Sequence, residues 1–174
     1  MRVRNDYCKN AMAKACLELI KDKTINKITI DEITQKAGVG RATWFRTFKN
    51  RHDAIVYGLV LLWDDWAKEH NLKNHKKISV ENAESFIDYV YEIRDIRSDL
   101  IRSGEQSAIL DSFLYVLVRN NDPNDTKDYF MRMFVTYGIT GLIEGWSNNH
   151  YLQSKEELSR YLKDLITQSL YLLK

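Results

Sequence analysis

Arg41, Ala42, Thr43 and Arg46 crowd into the start of a short helical stretch that opens just after Ala37-Gly38-Val39-Gly40. Guanidinium and hydroxyl groups at the front of an exposed helix suit recognition, because they would reach base edges and phosphates in a major groove. A small residue and a glycine at the junction let two short helices cross steeply. Ile33, Val39, Trp44 and Phe48 supply the apolar contacts between them. This is the pattern of a helix-turn-helix, although any hairpin of two helices with a glycine turn shares it. Charge strengthens the first reading. Residues 1–52 hold twelve Lys/Arg against five Asp/Glu, a balance of +7, while the remainder carries −5. A basic head on an acidic body points to a polyanion as partner of the head; a solvated surface would give the same balance by accident.

Bond-making chemistry has no comparable signal. The chain contains no P-loop, GxSxG, HExxH or GxGxxG. His52, His70, His75 and His150 lack metal-ligand spacing to Cys, Asp or Glu, and read as solvated surface histidines. Asp64-Asp65 reads as an exposed acidic face, with a cation site as the alternative. Cys8 and Cys16 lie on one helical stripe, two turns or roughly 12 Å apart, too far to bridge each other; they read as buried structural thiols, with redox sensing as the alternative. No enzyme activity, cofactor or metal is expected. No apolar run approaches the roughly 18 residues of a membrane span, and the first ten residues have no signal-peptide core, so a cytoplasmic protein is expected.

One Pro and seven Gly in 174 residues leave few breakers, which argues for long helices and an all-α fold of about eight or nine of them. The stripe Cys8, Met12, Cys16, Leu19, Ile20 predicts a first helix from about Asp6 to Asp22. Thr29-Ile30-Asp31-Glu32 is a T-x-x-E capping box for the second, which Gly38 stops. The third runs from Arg41 to about Phe48. Asn50 begins the fourth, with Asp53 in its first turn, and its stripe Ile55, Leu59, Leu62, Trp63, Trp66 carries it to about Asn71. His70 to Ser79 reads as a linker. Further helices are expected from Ser79 to about Arg94, from Ser107 to Val118, from Asp122-Pro123-Asn124-Asp125 to about Asn148, and after the capping box Ser154-x-x-Glu157. The expected domains are 1–52 and 53–174.

The run ITIDEITQKAGVGRATWFRTFKNRHDAI resembles the DNA-binding signature of TetR-family transcriptional regulators, and ACLELIKDK is similar to their first helix at the right distance. The resemblance covers about residues 8–60. It implies an N-terminal three-helix DNA-binding domain joined by the fourth helix to a helical regulatory domain. That domain would bind a small effector and dimerise through its last two helices. By the same resemblance Arg41 and Ala42 contact bases, Thr43, Thr47 and Arg51 contact phosphates, and Thr29 opens the second helix near the DNA backbone. Gly40 stands at the cap position where Ser or Thr is usual, and Phe45 replaces the usual Tyr and reads as core. Arg46 completes the DNA-facing set.

The C-terminal part carries two further expectations. Trp63, Trp66, Phe86, Tyr89 and Phe113 are candidates to line a pocket for an apolar or aromatic effector, although aromatics at helical spacing also fill plain cores. The segment Phe130–Trp146 is apolar nearly all round and must be buried on more than one side. Gly138, Gly141 and Gly145 lie at i, i+3 and i+7, so one face lets another helix approach. With Phe134 and the stripe Leu158, Leu162, Leu165, they predict a homodimer built on four helices; the alternative is that the glycines sit against the subunit's own core or a ligand. The reading as a whole is a repressor that binds a palindromic duplex DNA operator. Its rival is a helical protein–protein adaptor whose helix-turn-helix is only packing.

Overall fold

The computed structural model describes residues 2–73, 75–76, 78–118 and 126–171, with side chains described from 6 to 168 apart from those of 126–128. Among the described residues every regular element is helical: nine α-helices and two 3₁₀ turns. The chain folds as two compact units. One comprises Met1–Leu62 with Asp95–Ser112, the other Trp63–Arg94 with Phe113–Lys174. The packing therefore groups residues differently from a cut at residue 52.

The first unit contains α1 (Arg2–Leu19), α2 (Ile30–Lys36), α3 (Arg41–Thr47), the first part of α4 (Arg51–Glu69), most of α6 (Arg94–Ser103) and the start of α7 (Ser107–Leu117). α1, α2 and α3 pack on one another. Met12, Cys16, Ile20, Ile28, Ile33 and Ile55 are completely buried there, the expected stripes turned inward. Gly58 marks a close approach of α4 to α1: a Cβ there would stand 2.8 Å from Leu17 Cδ1 and 3.2 Å from the Ala13 carbonyl oxygen.

α1 ends at Leu19 rather than at Asp22. The carbonyls just past its end, of Ile20 and Lys21, accept from Arg102 Nη2 at 3.1 and 2.6 Å. That guanidinium replaces the partners a longer helix would have supplied.

The second unit contains the rest of α4, α5 (Ala83–Glu92), the end of α7, α8 (Thr126–Asn148) and α9 (Lys155–Tyr171). α9 packs against both α5 and α8. Ile87, Ile139 and Leu162 are completely buried between them. The ion pairs Asp88–Lys155 and Glu84–Lys163 run along the edge of α5 and α9; being exposed, such pairs add about 0–1 kcal/mol each.

The expected helix from Ser79 to Arg94 is two pieces, and a further helix that the spacing did not predict follows it. Val80–Asn82 is a 3₁₀ turn, with the Asn82 side chain accepting from Ser79 N at 2.7 Å. α5 then stops at Glu92, and Arg94 folds back over the Tyr91 ring at 4.4 Å, donating to the Tyr91 carbonyl. α6 follows and ends at Ser103, before Gly104, whose φ of +78° is open to glycine at little cost. The Asp122-Pro123-Asn124-Asp125 helix start lies outside the described residues.

Candidate nucleic-acid interface

The two short helices α2 and α3 are set by local chemistry. Thr29 caps α2: its hydroxyl oxygen accepts from Glu32 N at 3.2 Å, and Glu32 Oε2 accepts from Thr29 N at 2.8 Å. Hydrogen bonds from Lys23 and Thr29 hold the Glu32 carboxyl down to about 2. At the other end Gly38 takes φ +66°, and Val39 N returns to the Thr34 carbonyl at 2.9 Å, a left-handed helix stop. Gly40 caps α3 with its backbone alone, its carbonyl accepting from Thr43 N at 2.8 Å.

α3 makes barely two turns, and one face of it is committed to the core. Trp44 is 1% exposed, and its ring centroid lies 5.4 Å from that of Phe48. Phe48 in turn meets Tyr57 at 6.0 Å. The opposite face presents Arg41, Ala42, Phe45 and Arg46, all exposed. Phe45, expected in the core, is 61% exposed. Trp44 and Phe48 already fill the inward positions i and i+4, so the residue next to Trp44 must turn away.

Arg41 lies over the Phe45 ring at 5.7 Å and pairs with Asp31 of α2, a partner that the local pattern of α3 did not suggest. Arg46 Nη2 donates to Thr43 Oγ1 at 3.4 Å, and Thr47 Oγ1 donates to the Thr43 carbonyl at 2.6 Å. The hydroxyl proton of Thr47 is thus engaged by its own helix.

Behind α3, α4 begins with a reciprocal cap. Asp53 N donates to Asn50 Oδ1 at 2.8 Å and Lys49 N to Asp53 Oδ2 at 3.3 Å. Arg51, in the first turn, is half-buried, and its Nε has no partner among the described residues. Its charge faces Cys16, whose thiol burial pushes up to about 12 despite the guanidinium pulling it down. Thr29, Gly40, Arg41, Ala42, Thr43, Arg46, Thr47 and Arg51 all lie in this first unit.

The histidines are less idle than their spacing suggested. His52 holds Glu105 Oε2 at 2.7 Å through Nδ1 and Asp111 Oδ2 at 2.9 Å through Nε2. His75 Nε2 meets Asp64 at 3.0 Å, and the His70 ring stacks on Trp66 at 3.9 Å. Only His150 fits a simple exposed side chain. Among the described residues no group of three or more His, Cys, Asp or Glu could hold a metal ion. No described helix is long and apolar enough to cross a membrane.

In the second unit Trp63, Trp66, Phe86, Tyr89 and Phe113 do come together, each 9% exposed or less. They occupy one another's faces: Trp63 stacks on Trp66 at 5.9 Å and meets Tyr89 at 4.9 Å and Phe86 at 5.8 Å, while Phe86 meets Phe113 at 5.5 Å. Trp66 Nε1 donates to Glu92 at 2.8 Å. An open groove of about 340 Å³ lies elsewhere in the unit, between Gly141, Gly145, Trp146, Gln153 and Tyr161.

The residues expected at a dimer interface divide. Leu158 and Leu162 are 3% and 0% exposed inside this single chain, so they belong to its own core and are not free for a partner. Leu165 is half-buried and touches the position a Gly138 Cβ would take, at 3.6 Å. Phe134 is 56% exposed, and Gly141 and Gly145 face open space. Phe130, Tyr137 and Tyr161 are exposed as well.

No protein-family model matches the sequence, and no curated protein matches it. Among solved structures, the fold is similar to that of a TetR transcriptional regulator from Rhodococcus sp. RHA1. The TM-score is 0.60 at 16% identity, over 94% of this chain and 97% of that one. The chain thus has an all-α fold like that of a TetR regulator.

Proposed function

We propose that the chain is a DNA-binding transcriptional regulator that reads duplex DNA with the outer face of α3. One observation carries this reading. Seven residues of helix, fixed between a glycine turn and a buried Trp44–Phe48 pair, expose Arg41, Ala42, Phe45 and Arg46 together on the basic head. Arg41 is the side chain for a base edge, and the exposed Phe45 offers an apolar surface for a thymine methyl. Thr29, Thr43, Thr47 and Arg51 are assigned to phosphates. Arg51 is the strongest of these, since it combines charge with an unsatisfied Nε at the start of a 19-residue helix. Thr47 would have to exchange its bond to the Thr43 carbonyl. Gly40 lets the DNA backbone approach the start of α3.

The functional species is proposed to be a homodimer on a palindromic operator, acting as a repressor by occupying it. Phe130, Phe134, Tyr137, Gly141 and Gly145 lie along one exposed side of α8, and Tyr161 of α9 borders the groove beside the two glycines. A helix of a second copy fits a glycine-lined groove flanked by exposed rings, and a stripe of this kind marks an interaction site. Release by a small apolar or aromatic ligand is assigned to the second unit. Such a ligand must bind the two states of the protein differently, with α4 as the covalent route to the head. The aromatic cluster around Trp63 would have to open to admit it.

Titration of a labelled duplex with the full chain at several salt concentrations tests the DNA reading. Binding that weakens steeply with salt, and weakens for all sequences on Arg51→Ala, supports it. Binding absent at low salt leaves the adaptor reading in its place.

A further inference from the structure

His52 occupies the first turn of α4, next to Arg51. Its two ring nitrogens each face a carboxylate: Glu105 in the turn between α6 and α7 at 2.7 Å, and Asp111 on α7 at 2.9 Å. A carboxylate only accepts hydrogen bonds, and a neutral imidazole has a single N–H to give. Both contacts are satisfied together only by an imidazolium. A neutral ring would turn a lone pair toward one of the two anions. All three residues belong to the first unit, and the contacts span 53 and 59 residues of sequence.

A second tie runs between the same regions of chain, from Arg102 of α6 to the Ile20 and Lys21 carbonyls after α1. An arginine keeps its charge at any physiological pH, so of the two ties only the one at His52 depends on a proton.

We propose that His52, Glu105 and Asp111 form a proton-operated latch. It fastens the first turn of α4 to the α6–α7 turn while the ring is an imidazolium, and lets one side go when the ring is neutral. The ionisable groups facing the ring are Glu105 from the turn and Asp111 from α7. Arg51 and Asp53 flank it on α4. Asp53 is engaged by Lys49 N, and Cys16 of α1, which the Arg51 charge faces, stays a thiol.

Burial disfavours the charge on His52. Hydrogen bonds to Glu105 and Asp111, with their negative fields, outweigh it and hold the imidazole above its ordinary 6.5. A folded-state value above the unfolded one stabilises the fold fully below pH 6.5. That contribution is lost as pH rises through the folded value. The latch is closed in mildly acidic solution and opens toward the alkaline side. The other histidines, at 70, 75 and 150, lie in the second unit, so the first unit has a single histidine to report.

The latch stands on the geometry of the first unit alone; its effect on DNA rests on the proposed function. Phosphates bound near Arg51 would favour the imidazolium, and linkage then requires tighter DNA binding by the protonated form.

Two-dimensional NMR of the histidine rings in the full chain, from pH 5.5 to 9, tests the latch without DNA. The His52 resonance is identified by its loss in His52→Gln. Its midpoint should lie above 6.5, and the near-isosteric Glu105→Gln and Asp111→Asn should each lower it, by about one unit. Hydrogen exchange at residues 51–55 and 104–111, measured against His52→Gln at matched pH, should lose protection above the midpoint in the parent only. A midpoint at or below 6.5, or one that neither carboxamide variant moves, overturns the latch. A duplex titration at pH 6 and 8.5 then tests the coupling. The parent should lose more affinity across the interval than His52→Gln; equal losses with an intact NMR response overturn the link to DNA and leave the latch.

Discussion

Replacing Gly58 by alanine should destabilise the head, against the usual direction for a helical glycine. In the interior of α4 an alanine gains roughly 1 kcal/mol of helix propensity over glycine. The new methyl, however, would sit 2.8 Å from Leu17 Cδ1, 3.1 Å from Leu17 Cγ and 3.2 Å from the Ala13 carbonyl oxygen. Leu17 is 5% exposed and has little room to rotate away, and the carbonyl belongs to the backbone of α1. Relieving both contacts means moving α1 and α4 apart, an overpacking cost of about 1–3 kcal/mol. Clashes with both side chain and backbone place the cost near the upper end. The net loss should be roughly 1–2 kcal/mol, or about 2–8 °C in Tm for a chain of this size.

Thermal unfolding of the parent, Gly58→Ala, Leu17→Ala and the double variant measures the effect as a cycle. In the Leu17→Ala background only the 3.2 Å contact with the Ala13 carbonyl remains, and Gly58→Ala should cost less than it does in the parent. A Tm for Gly58→Ala at or above the parent's, or no coupling to Leu17, would refute the close-approach argument.

Arg41→Ala should change unfolding stability by less than about 1 kcal/mol, because its pair with Asp31 is exposed. It should cost about 1–3 kcal/mol of DNA affinity and relax base preference at one position per half-site, read by titrating single-base variants of a selected duplex. Phe45→Ala should leave the fold intact and reduce discrimination for thymine at a neighbouring position in the same assay. Leu162→Ala should cost about 2–5 kcal/mol of stability, since that side chain is wholly enclosed; chemical denaturation checks it. Phe134→Glu and Gly145→Leu should leave the helical content of the chain unchanged yet shift sedimentation from dimer to monomer, and an unshifted species would remove α8 from the interface.

Features that depend on a few adjacent residues were legible in the sequence. The Thr29–Glu32 box, the Asn50–Asp53 cap, the glycine stop at Gly38 and the inward Trp44 and Phe48 are all local, and each stands in the structure where its spacing put it. Contacts between distant residues were not legible. Nothing near His52 announces partners 53 and 59 positions away, and nothing in α1 announces Arg102. The helix expected to end at about Arg94 does stop at Glu92, but the apolar spacing does not announce α6 after it.

Apolar spacing also tells that a side chain is buried without telling against what. The stripe of Leu158 and Leu162 thus suits a partner helix equally well, although their own chain covers them. Phe45 erred the other way, an apolar residue left outside because two turns of helix have only one inner face.

The central claim is that the outer face of α3 reads DNA sequence. Binding-site selection from a random duplex pool, using the full chain and in parallel Arg41→Ala, tests it most directly. The account predicts enrichment of an inverted repeat by the parent. It also predicts a salt-sensitive affinity for that repeat, with the preference at one position of each half-site lost in Arg41→Ala. No enriched sequence, or the same sequence enriched equally by both proteins, would contradict it.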